Sequence, residues 1–410
     1  MSNSIKSDLI IVGAGVVGLV LAAIVAKNSE DLRIKILESS NKLSFWNNKN
    51  FDNRVYAISR SSQTILDYLG IWKSISSKRI SPYRKMKIYD AQDPIREFGS
   101  LEFDSSEVGE PDLGNIVEDS LIRQELLNLL YEYTNVSIDL GQKIEFIDNK
   151  YNHINVSTSK GNNYVSKLLV GADGSNSSVR DLSSMSVSRH LFDQYSLVTH
   201  ISTEDPHKDT AYQFFLSDGP LAFLPISNNR SSIVLSTSKD KAEALCDYDD
   251  KYFCELLTEY SNRQLGKVLS CNIKKCFPLN SFNAEKYCIN RTVLLGDAAH
   301  CVHPLAGQGV NMGMADAAIL SKVLRKALLM KLDIGELKLL REYQREARSN
   351  NLKYFFAINA LYEFFKNSSL HYRVIKSLGI AALNQSSYIK NKLVDIALGR
   401  SLVSKFDFFD

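Results

Sequence analysis

The feature that most constrains the fold is a glycine-rich hexapeptide, GAGVVG at residues 13–18. It follows the short apolar run Asp8–Val12, whose length and composition predict a buried parallel strand. Leu, Ala and Val dominate residues 18–27, which predicts a helix, and residues 33–37 are predicted to form a second strand. The order of strand, glycine-rich turn, helix and strand predicts a βαβ unit at the start of the chain.

Each glycine of this turn has its own steric role in a dinucleotide-binding βαβ unit. The first permits a tight turn, the second lets backbone approach a pyrophosphate, and the third lets the helix pack on the strand. Glu38 stands at the end of the second strand, where a carboxylate can accept hydrogen bonds from ribose hydroxyls. A glycine-rich turn without a ligand is the alternative, but the ordered elements favour a cofactor site. The predicted contacts are Gly13, Ala14, Gly15, Val17, Gly18 and Glu38.

Two further motifs that combine glycine and aspartate also follow predicted strands. GADGSNSSVR at 171–180 follows an apolar strand at 164–170, and GDAAH at 296–300 follows a short strand at 292–295. The second motif continues through PLAGQGVN at 304–311 into a helix. Glycines let backbone approach a flat ring, and the start of a helix offers N–H donors to an anion.

Three motifs in this order resemble the class A FAD-dependent monooxygenases, the family of para-hydroxybenzoate hydroxylase. The resemblance implies that GAGVVG holds the ADP half of FAD and that Asp297 contacts the ribityl chain. It also implies that Asp173 lies near the pyrophosphate and helps to shape the nicotinamide site. The isoalloxazine is then expected to lie against the segment that contains Pro304, Gly307, Gly309, Val310 and Asn311.

Other segments are similar to one subfamily, the hydroxylases of ubiquinone biosynthesis. DNRVYAIS at 52–59 is similar to a DxRxxALS segment, GPLAFLP at 219–225 to a GPLALLP strand, and AGQGVNMG at 306–313 with Asp316 to an AGQGxNxGxxD signature. Val117-Glu118-Asp119 with Arg123 also fits, and the likeness runs from about residue 8 to residue 400. The resemblance assigns Arg54 and Arg123 to FAD binding, with solvent-exposed arginines as the alternative. In the strand after GPLAFLP, this chain has Leu235 where the family usually has Trp.

Composition excludes several other classes of protein. The chain has 410 residues, 44% of them hydrophobic, and a net charge of only +3, which predicts a globular protein that does not bind nucleic acid. None of the six cysteines forms a CxxC pair, which favours a reducing compartment without disulfides. His300, Cys301 and His303 fit no zinc-ligand spacing, so we predict no metal. The uncharged run Leu9–Ala26 is interrupted by three glycines, which argues against a membrane span or a signal peptide.

The C-terminal part is basic and rich in aromatic residues. From Lys322 to Asp410 the sequence has sixteen Lys and Arg against eight Asp and Glu. One interpretation is a solvated helical face over a core helix at residues 352–365. The other is a region that contacts an anionic membrane surface and admits a polyprenyl tail. The expected location is the cytoplasm, with peripheral contact at the inner face of the membrane, and other ubiquinone-biosynthesis proteins are candidate partners in a complex.

Together these observations predict a mixed α/β (α+β) fold with a Rossmann-like FAD domain, an antiparallel-sheet substrate domain and a helical C-terminus. The FAD domain is assigned to 1–75, 105–180 and 290–350, the substrate domain to 76–104 and 181–289, and the helical region to 351–410.

The predicted function is NAD(P)H- and O2-dependent hydroxylation of a polyprenyl phenol, without a second Rossmann domain for NAD(P)H. No residue identifies itself as the catalytic base. The alternatives are a flavoenzyme of the same fold acting on another substrate, such as a soluble-phenol hydroxylase or a prenyl reductase, and a prenyl-binding protein without enzymatic activity.

Overall fold

The computed structural model describes residues 4–91, 100–189, 194–366, 394–395 and 398–399. Its strands are β1 (Ile5–Lys6), β2 (Leu9–Val12), β3 (Ile34–Glu38), β4 (Val55–Ile58), β5 (Ser81–Tyr83), β6 (Lys85–Asp90), β7 (Ser100–Asp104), β8 (Gly114–Glu118), β9 (Val136–Leu140), β10 (Ile144–Asn149), β11 (Ile154–Thr158), β12 (Asn163–Ser166), β13 (Leu168–Gly171), β14 (Val187–Arg189), β15 (Gln194–Thr203), β16 (Thr210–Phe215), β17 (Pro220–Ile226), β18 (Arg230–Ser238), β19 (Val268–Cys271), β20 (Lys275–Pro278), β21 (Phe282–Ala284), β22 (Cys288–Ile289), β23 (Thr292–Leu294) and β24 (His300–Cys301). The helices are α1 (Val16–Asn28), α2 (Arg60–Tyr68), α3 (Trp72–Lys78), α4 (Asp119–Tyr131), α5 (Ser178–Leu182), α6 (Lys239–Asp247), α7 (Asp250–Tyr260), α8 (Gly309–Leu329) and α9 (Leu337–Lys366). Short 3-10 turns occur at Ser105–Val108, Gly296–Ala298 and Pro304–Ala306.

The first large sheet, called here the cofactor sheet, has the strand order β22-β23-β13-β2-β3-β9. Its strands from β23 to β9 are parallel, and every residue of β2 and β13 is buried. Parallel strands are buried on both faces, which explains why these segments read as continuous apolar runs. Helix α1 is apolar almost all round and packs between this sheet, α4 and α8. An additional sheet, β1-β12-β11-β10, precedes β13 along the chain.

The second large sheet, called here the substrate sheet, has the order β19-β15-β18-β17-β16-β6-β7, with β20 also paired to β15. All of its pairs are antiparallel except β6 with β16. Strands β16 and β17 form a hairpin and join through a turn that contains Asp218-Gly219. One face packs on α6 and α7, which sequence analysis did not predict, in a core that includes Phe214, Leu235 and Phe253. The other face is turned toward the cofactor sheet.

These two sheets confirm the predicted mixed α/β fold class. Helix α1 begins at Val16, two residues before the predicted start, because the chain enters the helix directly from Gly15 as its N-cap. Helix α9 runs without interruption from Leu337 to Lys366, so the predicted boundary at residue 350 falls inside one helix. The family-like tail beyond residue 366 lies outside the described residues except for 394–395 and 398–399. No helix in the described ranges is both long and apolar enough to cross a membrane.

Candidate active site

The three glycine motifs converge because three neighbouring parallel strands end side by side. In the register of the cofactor sheet, Gly171 at the end of β13 is paired with Val12 on one side and with Leu294 on the other. The turns that follow β2, β13 and β23 therefore meet at one edge of the sheet. Ligands bind at the carboxyl ends of the strands in open α/β sheets, so this edge is the expected location of a site. It forms one wall of a cleft of about 780 Å³.

The first turn has the close packing that its glycines predict. Gly13 has φ +107°, and a Cβ there would lie 2.4 Å from the carbonyl oxygen of Ala172. A Cβ on Gly18 would lie 2.2 Å from the carbonyl oxygen of Gly13, so α1 and the turn are in direct contact. Gly15, in contrast, has no neighbour within 4 Å of that position. Open space above Gly15 and the uncapped start of α1 leave backbone N–H groups free to bind an anion.

Glu38 lies beside this turn at the end of β3. Its Oε2 accepts a hydrogen bond of 2.9 Å from the Ala14 N–H, and its Oε1 accepts one of 2.8 Å from the Ser40 N–H. Oε1 also accepts from the Ser39 hydroxyl at 3.3 Å, so Oε2 is the oxygen that retains a lone pair for a further donor in the cleft that the carboxylate lines. This arrangement suits a ribose, whose hydroxyls are donors.

Asp173 follows β13 and stabilises the turn into α5. One carboxylate oxygen accepts from the Ser177 hydroxyl at 2.5 Å, and the other accepts from the Val179 N–H at 3.1 Å. Burial raises the pKa of Asp173, and these hydrogen bonds act in the opposite direction. The residue lines the cleft, yet its carboxylate already has protein partners, so its visible role is to fix the shape of the turn.

Asp297 lines the cleft directly after β23. Burial raises the pKa of this carboxyl group, and the nearby His300 and Arg54 act in the opposite direction. Within the described part of the chain, its carboxylate receives no hydrogen bond. A half-buried carboxylate without a partner at this position is suited to hydroxyl donors of a ligand.

Beneath this turn, Asp316 of α8 holds the backbone in place. Its Oδ2 accepts from the Gly296 N–H at 3.1 Å and from His300 Nε2 at 2.6 Å, and its Oδ1 accepts from the Asn351 amide at 2.8 Å. The carboxylate and the imidazole are each 1% exposed, so they form a buried polar network with the turn.

The segment from Pro304 to Asn311 crosses the cleft and then enters α8. Gly307 has φ +58°, a conformation that glycine adopts at low cost, and the first turn of α8 has no side-chain cap. The side chain of Asn311 is used inside the protein: it accepts from the Ser59 N–H at 3.0 Å and donates to the Ala57 carbonyl at 2.8 Å. It therefore joins the segment to the DNRVYAIS motif.

Arg54 and Arg123 come together through Asp119. The Tyr56 hydroxyl donates to one oxygen of Asp119 at 3.0 Å, and Arg123 Nε donates to the other at 2.8 Å. The guanidinium of Arg54 lies 5.3 Å from the centre of the Tyr56 ring. Burial raises the pKa of Tyr56, so its hydroxyl stays protonated and remains a donor. Both arginines line the cleft together with Asp119, so this end of it is lined by charged groups of both signs.

Glu118 is a structural centre that sequence analysis quoted without giving it a role. Its carboxylate accepts from the Trp46 indole at 3.0 Å, from the Asp52 N–H at 2.7 Å and from Arg79 Nε at 2.7 Å. Arg79 also donates to backbone carbonyls of the polar loop that precedes Arg54, at Asn47, Asn48 and Asn50. The buried Glu118–Arg79 pair thus fixes the loop on which Arg54 is carried. This role of Glu118 is visible only from its contacts with residues that are distant in the sequence, and the residues next to it in the sequence give no sign of it.

The opposite wall of the cleft comes from the substrate sheet and is mostly apolar. Its side chains include Met86, Ala211, Ala222, Leu224 and Val234, which face Val302 and Leu305 on the cofactor side. Gln213 and Tyr83 add two polar groups to this wall, and sequence analysis identified neither.

His303 directly precedes Pro304 and is fully buried, outside the lining of the cleft. Its Nδ1 accepts from the Leu305 N–H at 3.3 Å, its ring lies 5.3 Å from that of Tyr362, and burial lowers its pKa to about 4. The imidazole is therefore neutral at neutral pH. No group of three or more His, Cys, Asp or Glu suited to a metal ion occurs in the part of the chain that the structure describes.

Most of the predicted site residues line this one cleft. Gly18 and Asn311 lie outside its lining, since the first packs against Gly13 and the second is bonded within the protein. The contacts of all these residues with FAD stay a prediction. The residues on the lining are Gly13, Ala14, Gly15, Val17, Glu38, Arg54, Arg123, Asp173, Asp297, Pro304, Gly307, Gly309 and Val310.

The fold and the cleft are those of a flavoprotein monooxygenase. A profile of the FAD binding domain family matches residues 6–352. The chain is 31% identical over 438 residues to the ubiquinone biosynthesis monooxygenase COQ6 of Xenopus tropicalis, covering 95% of this chain and 93% of that protein. It thus belongs to the FAD-dependent monooxygenases and, within them, to the family of ubiquinone-biosynthesis monooxygenases. Both assignments confirm the resemblance found in the sequence.

Two further relatives agree with this assignment. The 3-demethoxyubiquinol 3-hydroxylase of Escherichia coli strain K12 is 28% identical over 400 residues, covering 97% of this chain and 100% of that protein. The crystal structure of p-nitrophenol 4-monooxygenase PnpA from Pseudomonas putida DLL-E4 has a TM-score of 0.77 at 18% identity, covering 98% of this chain and 99% of that one. The solved structure shows that the fold is shared over almost the whole length of both chains.

Proposed function

We propose that this protein hydroxylates the aromatic ring of a polyprenyl phenol in ubiquinone biosynthesis. FAD is its cofactor, and NAD(P)H and O2 are its co-substrates. The observation that carries the proposal is the cleft itself, in which glycine-rich turns and charged groups form one wall and an apolar sheet forms the other. Relatives named as ubiquinone-biosynthesis enzymes supply the substrate class.

The residues on the cofactor side fit FAD. Gly15 and the start of α1 would receive the pyrophosphate, Glu38 the adenosine ribose, and Asp297 the ribityl hydroxyls. The N-terminus of α8 at Gly309 offers a positive dipole end to a negative charge on the flavin ring. FAD, when bound, supplies the redox chemistry and the activation of O2.

The overall reaction consumes NAD(P)H, one proton and O2. One oxygen atom enters a ring C–H bond to give a C–OH group, the other leaves as water, and the nicotinamide is oxidised. The protein binds the ring between the apolar wall and the flavin segment, orients it and excludes water. We assign no residue as a catalytic base. His303, which directly precedes Pro304, is buried and hydrogen bonded.

The division into domains follows the two large sheets. We propose that 1–75, 105–180 and 290–350 form the FAD domain and that 76–104 and 181–289 form the substrate domain. Supporting this, the strands of the cofactor sheet and the substrate sheet fall into these two sets, except that the edge strand β22 of the cofactor sheet lies at Cys288–Ile289, just before the boundary at 290. Helix α9 belongs to both domains, since it extends from the FAD domain to the substrate domain.

We propose that the protein works at the inner face of the membrane, where a polyprenyl substrate resides, in contact with other ubiquinone-biosynthesis proteins. The net positive charge from Lys322 onward supports this, because anionic lipids attract basic surfaces. On the described part of this region, Leu329, Met330, Leu332 and Phe356 are exposed apolar side chains.

The test is a spectrum of the purified protein, followed by anaerobic addition of NADPH with and without a prenylated phenol. We expect bound yellow flavin that is reduced faster when the phenol is present, and a hydroxylated product that carries one atom from isotopically labelled O2. Retained flavin with no labelled product from any prenylated phenol would favour a reductase or another substrate. A protein that stays colourless after reconstitution with FAD would overturn the enzyme assignment in favour of a prenyl-binding protein.

A further inference from the structure

The apolar wall of the cleft contains one polar side chain whose burial calls for an explanation. Gln213 of β16 is only 3% exposed, and it lines the cleft. Among the described residues, its amide has no hydrogen-bond partner, although its backbone is paired in the sheet. Its amide atoms are not among the described polar atoms that are enclosed without a partner, so they are open to the cleft. Such a group on the wall of a cleft is suited to binding a polar atom of a ligand.

Strand register sets the direction of this side chain. Gln213 is paired with Ala222 of β17 and with Ile88 of β6, and directly paired residues share a face of the sheet. Tyr212 and Phe214, its neighbours along β16, belong to the opposite face and pack in the core with α6 and α7. Gln213 therefore lies on the face that is turned toward the cofactor sheet.

The neighbours of Gln213 leave room for a flat ring. On the side of Gln213 that lines the cleft, Ala222 lies directly across the strand pair and Ala211 lies two residues earlier, so both of these side chains are methyl groups. The larger Ile88 and Phe215 lie on its other sides and pack in a core that includes Leu305. Farther along the same face, Leu224 and Val234 continue an apolar surface suited to an alkyl chain. The amide of Gln213 is therefore surrounded by apolar side chains on this wall of the cleft.

We propose that Gln213 determines the orientation of the substrate, with its Oε1 accepting a hydrogen bond from the hydroxyl of the phenol ring. The proposal rests on the ring-hydroxylase function stated above and assigns a specificity-determining residue to it. An acceptor at this hydroxyl fixes which ring carbons face the flavin segment opposite, at Pro304 and Leu305. It also increases the electron density of the ring, which favours its attack by an electrophilic oxygen.

The other polar group on this wall is the hydroxyl of Tyr83. It also lacks a partner among the described residues, and burial raises its pKa, so it stays protonated. Tyr83 is half-buried on β5, outside the substrate sheet, and its ring packs with Met86 and Phe103. A protonated tyrosine hydroxyl both donates and accepts, so Tyr83 is the competing partner for the ring hydroxyl, and the variants below separate the two residues.

The proposal is tested by binding to the oxidised FAD-loaded enzyme, measured by calorimetry without turnover. The probes are a prenylated phenol, its methyl ether and the matching prenylated benzene. For the unmodified protein we expect the phenol to bind about tenfold more tightly than the benzene, as a single hydrogen bond in an apolar site would give. The ether should bind like the benzene, since it has no hydrogen to donate. An ether that binds as tightly as the phenol would overturn the proposal without any variant.

The variant Gln213→Met replaces the amide with an apolar side chain of similar length. We expect it to retain FAD and to lose the preference for the phenol, so that the tenfold ratio falls to about one. Product formed per NADPH consumed should fall as well. The matched control is Gln264→Met, because Gln264 is exposed and accepts a hydrogen bond from Tyr89, away from the cleft. This control should keep the ratio unchanged.

Three outcomes separate the possibilities. An unchanged phenol preference in Gln213→Met overturns the proposal, and loss of the preference in Tyr83→Phe alone assigns the contact to Tyr83 instead. An unmodified enzyme that retains FAD and binds none of the three probes overturns both this proposal and the ring-hydroxylase function. An enzyme that hydroxylates the phenol without any preference in binding overturns only the role of Gln213.

Discussion

The two walls of the cleft differ in how their polar groups are used. On the cofactor side, Glu38, Asp173 and Asp316 are already bonded to backbone N–H groups of the turns that they support. On the substrate side, Gln213 lies among apolar side chains, and its amide has no hydrogen-bond partner in the described part of the chain. Asp297 is the exception on the cofactor side, because its carboxylate accepts no hydrogen bond from any described residue.

The difference shows two ways of preparing a site. The turns of the cofactor wall are held by backbone contacts so close that few residues other than glycine fit at these positions. A wall of this kind suits a ligand that remains bound. The substrate wall is fixed by strand pairing alone, and its surface is set by the size of alternate side chains. Changes on the cofactor side should therefore affect FAD content and stability, whereas changes on the substrate side should affect specificity.

The largest effect is expected from Gly13→Ala. At φ +107° and 2.4 Å from the Ala172 carbonyl oxygen, the added methyl group strains the turn and forces β2 and β13 apart. We expect the free energy of unfolding to fall by about 1–3 kcal/mol and the purified protein to lose its FAD. Chemical denaturation and the flavin-to-protein absorbance ratio measure these effects. Gly161→Ala, with φ +76° and no neighbour within 4 Å, is the control for strain alone. Equal effects in both variants would contradict this account of the turn.

The second largest effect is expected from Asp297→Ala, which should weaken FAD binding strongly and change the stability of the fold only slightly. Its carboxylate makes no hydrogen bond to the described protein, so its removal should leave stability without FAD nearly unchanged. Loss of a charged partner for the ribityl hydroxyls should weaken FAD binding by about 100-fold. Titration of the FAD-free protein with FAD measures this, and the exposed Asp31→Ala is the control. Stoichiometric FAD in the purified Asp297→Ala protein would show that the assignment of this motif is wrong.

Glu38→Ala should reduce FAD affinity by about tenfold, because its carboxylate orders the turn and offers only part of the ribose contact. Glu38→Gln should not restore the affinity. Both carboxylate oxygens of Glu38 accept from backbone N–H groups, of Ala14 and Ser40. In the glutamine variant, the NH2 group would replace one of these oxygens and would face a donor instead of accepting from it. The same titration measures both variants, with the exposed Glu30→Ala for comparison. Wild-type affinity in Glu38→Gln would mean that the ribose contact does not depend on the carboxylate.

The smallest effect concerns His303, where the two walls meet. Burial lowers its pKa from 6.5 to about 4, so the unfolded chain binds more protons than the folded protein between these values. Its contribution to stability is therefore complete above about pH 6.5 and is lost as the pH falls toward 4, to a total of no more than about 3 kcal/mol.

We expect His303→Asn to reduce the difference in unfolding free energy between about pH 5 and about pH 7. The asparagine oxygen still accepts from the Leu305 N–H, as in an Asx-turn, so the variant should fold. Denaturation at the two pH values is the measurement. An unchanged pH dependence would show that His303 is protonated in the folded state.

The same contrast explains how much was predictable from the sequence. Strands β2, β3 and β23 were predicted to within one residue at each end, because the glycines of GAGVVG and the apolar strands obey local steric rules. The strand predicted at 164–170 is in fact divided between β12 and β13, which belong to different sheets. Glu118 lies 72 residues after Trp46 and 39 residues after Arg79, so no local pattern predicts the hydrogen bonds among them. Gln213 was missed for a related reason: its face is decided by the register of β16 with β6, which no short motif specifies. Helices α6 and α7 lack glycine or aspartate motifs and were also missed.

Helix α9 has a consequence for how the molecule unfolds. It is 30 residues long, about 45 Å, and it touches both large sheets. Near its start, the Tyr343 hydroxyl donates to the Leu294 carbonyl at 2.8 Å, and near its end the Phe365 ring stacks on Phe215 at 3.8 Å. Because α9 is anchored to a different sheet at each end, unfolding of one sheet destabilises the other. Loss of either anchor exposes apolar surface on both, so heat should melt the two sheets together in one cooperative transition.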